Sequence, residues 1–167
     1  MRLLARFRRD RSGATAVEFA LIALPFFGLI FAIIQTSIVM FASQALQTMT
    51  SDASRKIMTG QLSGTSTLKA FRDELCDQEE DVIFDCSKIL VQVKSFDNFA
   101  LANPKNVFTP DCFDLKKAAG ASCYSPGGPQ KVVLVRVVYP WPFGLTLEDL
   151  GRPRTLVAVS AIRTEPY

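Results

Sequence analysis

The fold of this chain is decided by the segment Ser12-Gly13-Ala14-Thr15-Ala16-Val17-Glu18-Phe19 and by the apolar run that this segment opens. From Phe19 to Ser51 there are 33 consecutive uncharged residues. A helix needs about 20 apolar residues to cross the hydrocarbon core of a bilayer, whereas the apolar region of a cleaved secretory signal has only about 7–15. The sequence therefore predicts a membrane-spanning helix rather than a cleaved signal or the core helix of a soluble protein.

The distribution of charge predicts how this helix is oriented. Residues 1–13 carry five arginines and one aspartate, whereas residues 52–167 carry fourteen basic and fourteen acidic side chains. Because basic residues next to a membrane helix mark its cytoplasmic end, we expect a cytoplasmic N-terminus and an exported C-terminal part. A basic excess confined to the leader is a topology signal and gives no reason to expect a nucleic-acid partner.

Glu18 stands at the start of the apolar run, where burial of a carboxylate in lipid is costly without a partner. Cleavage after Gly13 would make Ala14 the first residue and would create a free α-amine. An α-amine is a suitable cation for a buried carboxylate. The alternative is that Glu18 lies in the headgroup layer and has no specific partner.

Three segments follow from this pattern. Residues 1–13 form a basic leader that is removed if the chain is cut, 14–60 form a long helix that spans the membrane in its first half, and 61–167 form an exported α+β domain. Beyond Phe41 the helix becomes amphipathic, with apolar residues at a spacing of three or four.

The sequence of the exported part predicts one short helix and a small sheet. Residues 68–78 have the helical period, whereas residues 89–94, 131–139 and 155–164 have the composition and alternation of strands. We expect a three- or four-stranded antiparallel sheet packed against the helix. Residues 97–130 are predicted to form a long irregular insert tied by a disulfide.

The four cysteines all lie in the exported part, at Cys76, Cys86, Cys112 and Cys123. Their spacing does not match the short Cys-x-x-Cys pairs of zinc sites. An even number in an oxidising compartment favours two disulfides. Of the three possible connectivities we favour Cys76–Cys86 with Cys112–Cys123, because each closes a short loop rich in turn residues; free thiols or mixed pairing remain the alternative.

Two further clusters have open interpretations. Acidic residues crowd the end of the second predicted helix, which allows either a calcium site or an ordinary solvated loop; they are Asp73, Glu74, Asp77, Glu79, Glu80, Asp81 and Asp85. The aromatic side chains Tyr139, Trp141 and Phe143 alternate with prolines and either complete the core or form an interface with a neighbouring subunit.

Catalytic motifs are lacking in this sequence. It contains no histidine, no glycine-rich phosphate loop and no nucleophile elbow. We therefore expect a protein that is not an enzyme and uses no cofactor or metal.

Three segments resemble the TadE-like minor pilins (pseudopilins) of the tight-adherence (Tad/Flp, type IVc) pilus system. They are Gly13 with Ala16-Val17-Glu18-Phe19-Ala20-Leu21, the stretch Val135-Arg136-Val137-Val138-Tyr139-Pro140-Trp141-Pro142-Phe143, and Ala161-Ile162-Arg163-Thr164-Glu165-Pro166-Tyr167. The resemblance implies a bacterial inner-membrane precursor that a prepilin peptidase cuts after Gly13, and a structural role in assembly or at the tip of an adhesive pilus.

Carried over to this sequence, the resemblance makes Ala14 the new N-terminus and makes Glu18 and Phe19 the subunit-pairing residues. It implies other pilins and the inner-membrane assembly platform as partners. Many type IV pilins have phenylalanine at the first mature position, and alanine here leaves N-methylation of that residue open. The alternative function is a signal-anchored periplasmic binding or accessory protein without a filament role.

Overall fold

The computed structural model describes residues 13–62, 67–76, 83–102, 112, 123–142 and 154–166. Its contacts divide the chain into two compact units, with the boundary between Phe41 and Ala42. In the described part, the first unit is helical, and the second contains the remainder of the same helix, a second helix and a sheet.

Helix α1 spans Ala14–Met58, which confirms the long N-terminal helix that the sequence predicted. In the second unit one face of α1 is buried, and its apolar residues recur at the helical spacing; they are Ala42, Leu46, Met49, Ala53 and Ile57, each at most 4% exposed. The helix ends before Gly60, whose φ of 79° is in the left-handed region that glycine adopts without a Cβ penalty.

Helix α2 spans Leu68–Cys76. Its first turn is capped by Thr67, whose hydroxyl accepts a hydrogen bond from the Ala70 N–H at 3.2 Å. An ion pair between Lys56 and Glu74 joins α1 to α2. The predicted end of this helix at Gln78 lies outside the described residues.

A four-stranded sheet completes the second unit. Its strands are β1 (Leu90–Phe96), β2 (Tyr124–Ser125), β3 (Val132–Trp141) and β4 (Arg154–Arg163), arranged in the order β2-β1-β3-β4. The pairs β1–β3 and β3–β4 are antiparallel, as the sequence predicted. Strand β3 has a neighbouring strand on each side and is buried along most of its length, and its run of β-branched residues suits this position.

The expectation of a wholly antiparallel sheet is wrong at one edge. Strand β2 runs parallel to β1, with Val93 opposite Tyr124 and Lys94 opposite Ser125, so the sheet is mixed. A parallel neighbour requires a long connection, and the residues between β1 and β2 supply it. Because β2 has only two residues, it is too short to produce an alternating pattern in the sequence.

Candidate functional site

The start of α1 contains the predicted processing site. Ala14 is the first helical residue, and the Val17 N–H donates to the Gly13 carbonyl oxygen at 3.1 Å. No atom lies within 4 Å of the position that a Cβ on Gly13 would occupy, and the φ of Gly13 is outside the left-handed region. Neither the backbone conformation nor the packing of the described residues therefore requires glycine at position 13.

An exposed apolar band covers α1 from Val17 to Phe41. An 18-residue window within the helix has a mean hydropathy of 2.5, and none of that window is buried within the protein. Fourteen large apolar side chains in the band are at least half exposed: Val17, Phe19, Leu21, Ile22, Leu24, Phe26, Phe27, Leu29, Phe31, Ile33, Ile34, Ile38, Met40 and Phe41. The helix is long and apolar enough to serve as a single-pass membrane anchor.

Glu18 and Phe19 lie at the beginning of the apolar band, and both side chains are exposed. No hydrogen bond or ion pair is formed by the Glu18 carboxylate with any other residue that the structure describes. The described part of the chain therefore provides no cation that pairs with the Glu18 carboxylate.

Three consecutive polar residues interrupt the apolar band, and they differ in how their side chains are satisfied. The Thr36 hydroxyl donates to the Ala32 carbonyl oxygen at 2.8 Å, and the Ser37 hydroxyl donates to the Ile33 carbonyl oxygen at the same distance. The side-chain amide of Gln35 has no hydrogen-bond partner among the described residues. Of these three side chains, it alone is left with unpaired donors.

Two disulfides, Cys76–Cys86 and Cys112–Cys123, have the local connectivity that the sequence analysis favoured. The first joins the end of α2 to a 3₁₀ turn at Cys86–Lys88, immediately before β1. The second lies in the core, where Cys112 is fully buried and Cys123 is 2% exposed. Each bond removes conformational freedom from the unfolded chain, by somewhat under about 3 kcal/mol for loops of this length in the entropic account.

The turn beside the first disulfide is held by Asp85. Its carboxylate accepts hydrogen bonds from the Ser87 N–H at 3.1 Å and the Ser87 hydroxyl at 2.6 Å, and it forms an ion pair with Lys88 at 2.8 Å. Lys88 first and Ser87 second lower the pKa of Asp85 from 3.8 to about 2. The hydrogen bond with Asp85, and the charge of Asp85, in turn raise the pKa of Lys88. From helix α2, Arg72 donates to the Cys86 carbonyl oxygen at 3.2 Å and holds the other side of the turn.

The ring of Tyr124 packs against Phe71, with 6.0 Å between ring centroids. Its hydroxyl is buried and has no hydrogen-bond partner among the described residues, and burial raises the pKa of Tyr124 to about 12. The phenol therefore stays neutral over the physiological range.

Tyr139 and Trp141 are 2% and 3% exposed, which is the position expected of aromatic residues that complete the core. The Tyr139 ring meets Phe84 edge to face, with 5.0 Å between centroids, and its hydroxyl oxygen accepts a hydrogen bond from the Asp85 N–H at 3.2 Å. Both rings are therefore buried within the second unit of the chain itself. Phe143 lies outside the described residues.

Two of the clustered acids have local partners, since Glu74 pairs with Lys56 and Asp85 pairs with Lys88. Residues 77–81 of the predicted cluster lie outside the described residues. Among the residues that are described, no group of three metal-ligating side chains comes together.

Two polar contacts in the second unit had no signal in the sequence. The side chain of Gln47 on α1 binds the backbone of Val159 on β4. Thr164 is 3% exposed, and its hydroxyl oxygen accepts from the Lys131 N–H and donates to the Gly128 carbonyl oxygen, both at 2.9 Å. Glutamine and threonine are common on exposed surfaces, so their types alone do not reveal such contacts.

These features define a class of protein: a long apolar helix compatible with single-pass membrane anchoring continues into a disulfide-bonded α+β unit. A model of the TadE-like protein family matches residues 13–55, which run from Gly13 along most of α1. Over these residues the chain is similar to TadE-like proteins, a family associated with the Tad pilus. Residues 56–167 lie outside the matched segment. No curated protein and no solved structure matches the chain.

Proposed function

We propose that this chain is a minor pilin (pseudopilin), a structural subunit needed for assembly or for the tip of a tight-adherence pilus. It is made as an inner-membrane precursor with a cytoplasmic N-terminus and a periplasmic α+β domain. A prepilin peptidase cuts it after Gly13, and other pilins and the inner-membrane assembly platform are its partners.

The observation that carries this proposal is the family match that begins at Gly13 itself. Glycine at this position has no role in the packing or the backbone conformation of the described residues. A requirement from outside the chain, such as the active site of a peptidase, accounts for it. Ala14 would then be both the first residue of the mature chain and the first residue of α1.

Glu18 supports the same proposal through its position. It lies at the head of the exposed apolar band and has no partner among the described residues. A carboxylate in a membrane or in a filament core needs a cation. The amine that cleavage creates at Ala14 of an adjacent subunit supplies one, which gives the cut a physical purpose.

Mass spectrometry of the protein from cells with an active prepilin peptidase tests the proposal. We expect the mature chain to begin at Ala14 and the Gly13→Leu variant to keep its leader. Gly28→Leu is the matched control, since Gly28 also lies in α1 with no atom within 4 Å of the position that its Cβ would occupy, but is far from the cut. An uncut wild-type chain in cells that assemble the pilus would support a signal-anchored accessory protein instead.

A further inference from the structure

The unpaired side-chain amide of Gln35 lies within the exposed apolar band of α1. Thr36 and Ser37 donate to carbonyl oxygens of their own helix, so their hydroxyls need no outside partner. The amide of Gln35 has two donors and one acceptor oxygen, and none of them is engaged by the described residues. Outside the chain, only water, lipid headgroups or another polypeptide can pair with it.

The position of Gln35 along α1 places it among apolar side chains on both sides. It follows Phe19 by 16 residues, which is about 24 Å at 1.5 Å per residue and lies within a hydrocarbon core of about 30 Å. The apolar surface continues beyond it, because Ile38, Met40 and Phe41 are 50%, 61% and 64% exposed. With α1 in a bilayer, the amide therefore lies in a medium that cannot form hydrogen bonds with it.

An unpaired amide in hydrocarbon is unfavourable by several kcal/mol, in the range of about 4–8 kcal/mol for transfer from water to cyclohexane. Glutamine side chains in membrane helices therefore form hydrogen bonds across helix–helix interfaces. The unpaired amide of Gln35 therefore favours an interface with another helix in the membrane.

The same face of α1 has room for a second helix. Ala32 precedes Gln35 by three residues and Gly28 precedes it by seven, so all three share one face. No atom lies within 4 Å of the position of a Cβ on Gly28, and its φ is outside the left-handed region. Glycine inside a helix is less favourable than alanine by about 1 kcal/mol, and nothing in the described part of the chain compensates for it. Small residues at such positions let two helix backbones approach closely.

The partner that fits this face is a second copy of the same chain. All copies insert in the same orientation, so their Gln35 side chains lie at the same depth. An amide is both a donor and an acceptor, and two amides related by a two-fold axis satisfy each other. We propose that two copies pair as parallel helices in the membrane through Gln35, with Gly28 and Ala32 at the close contact. This pairing requires only the membrane-inserted helix and does not depend on cleavage or on pilus assembly.

Sedimentation equilibrium of the full-length, uncut and disulfide-bonded chain in density-matched detergent micelles tests the pairing. We expect a monomer–dimer equilibrium for the wild type and dissociation about tenfold easier for Gln35→Leu, in keeping with the strength of interhelical side-chain hydrogen bonds. The matched control is Thr36→Val, which removes a neighbouring polar group that is already satisfied within the helix. We expect this control to dimerise as the wild type does.

Three results would overturn the proposal. They are a wild-type chain that stays monomeric at every concentration, a Gln35→Leu chain that dimerises as strongly as the wild type, and a Thr36→Val chain that loses as much dimer as Gln35→Leu. Far-ultraviolet circular dichroism checks that α1 stays helical in both variants. Because the uncut chain is used, a failed cleavage after Gly13 would leave this result unaffected.

Discussion

Gln47 binds the backbone of Val159 through both ends of its side-chain amide. Its Nε2 donates to the Val159 carbonyl oxygen at 3.1 Å, and the Val159 N–H donates to its Oε1 at 3.3 Å. Strand β4 is at the edge of the sheet, where backbone groups are open to pairing with another chain. Helix α1 thus provides, at Val159, the hydrogen bonds that a further strand would provide.

The first prediction concerns this contact. Replacing Gln47 by leucine removes two hydrogen bonds, each contributing about 0.5–1.5 kcal/mol. We expect the Val159 amide to exchange its hydrogen about tenfold faster, because local opening of the edge becomes easier. Hydrogen-exchange mass spectrometry of the peptide that contains Val159 measures this.

Gln44→Leu is the control for the first prediction, since Gln44 is an exposed glutamine one turn earlier on the same helix. We expect exchange at Val159 to be unchanged in that variant. Equal rates in the wild type and in Gln47→Leu would mean that the contact does not protect the edge.

The second prediction concerns Thr164, whose buried hydroxyl binds both Lys131 and Gly128. The Thr164→Val change leaves the Lys131 N–H without this acceptor, which costs about 1–3 kcal/mol. Guanidinium unfolding followed by the fluorescence of Trp141, the one tryptophan in the chain, measures the loss. Thr155→Val on the exposed face of β4 is the control and should change the free energy of unfolding by less than about 0.5 kcal/mol. Similar losses in the two variants would contradict the role of the hydroxyl.

The third prediction follows from the lowered pKa of Asp85. Because its pKa in the folded chain, about 2, lies below its ordinary value of 3.8, the ionised carboxylate stabilises the turn above about pH 4. This contribution is lost as the pH falls through about 2. A carboxyl-carbon NMR titration should therefore give a midpoint near 2 for Asp85.

Lys88 is the main cause of this shift, so Lys88→Met should raise the pKa of Asp85 toward 3.8. Lys69→Met is the control, because Lys69 is exposed on α2 and forms no hydrogen bond or ion pair with Asp85. An ordinary midpoint for Asp85 in the wild-type protein would rule out the ion pair in solution.

The fourth prediction tests the role proposed for Glu18. Glu18→Ala should leave membrane insertion intact, because it makes the apolar band longer, but it should prevent incorporation into pili. Membrane fractionation and immunoblotting of sheared pili measure the two outcomes separately. Asp52→Ala, at an exposed acid on the same helix, is the control and should be incorporated normally. Normal piliation of Glu18→Ala would refute the pairing role.

The sequence predicted the elements that are marked by a residue pattern sustained over many consecutive positions. Helix α1 was predicted because its apolar run is long. Strands β1, β3 and β4 were predicted from β-branched residues and alternation. Short loops rich in turn residues favoured the disulfide connectivity that is observed, although free thiols or mixed pairing stayed open from the sequence.

What the sequence did not predict depends on contacts between distant residues. Strand β3 continues to Trp141 although Pro140 lacks an N–H, because the pairing of β1 with β3 ends at Leu90 opposite Val138 and no residue of β1 lies opposite Pro140. The Gln47–Val159 contact joins residues 112 positions apart, and no local pattern encodes such a pair.

The end of α1 is connected to a segment that is synthesised much later. The Met58 carbonyl oxygen accepts a hydrogen bond from the Glu165 N–H at 3.0 Å, and this segment follows both disulfides and all four strands described above. The groups that complete the folded unit therefore leave the ribosome long after α1 does. We expect the second unit of the nascent protein to remain open until Glu165 has been synthesised, and sequence separation of this kind slows closure. Quality-control proteases and folding catalysts would meet the chain during that interval.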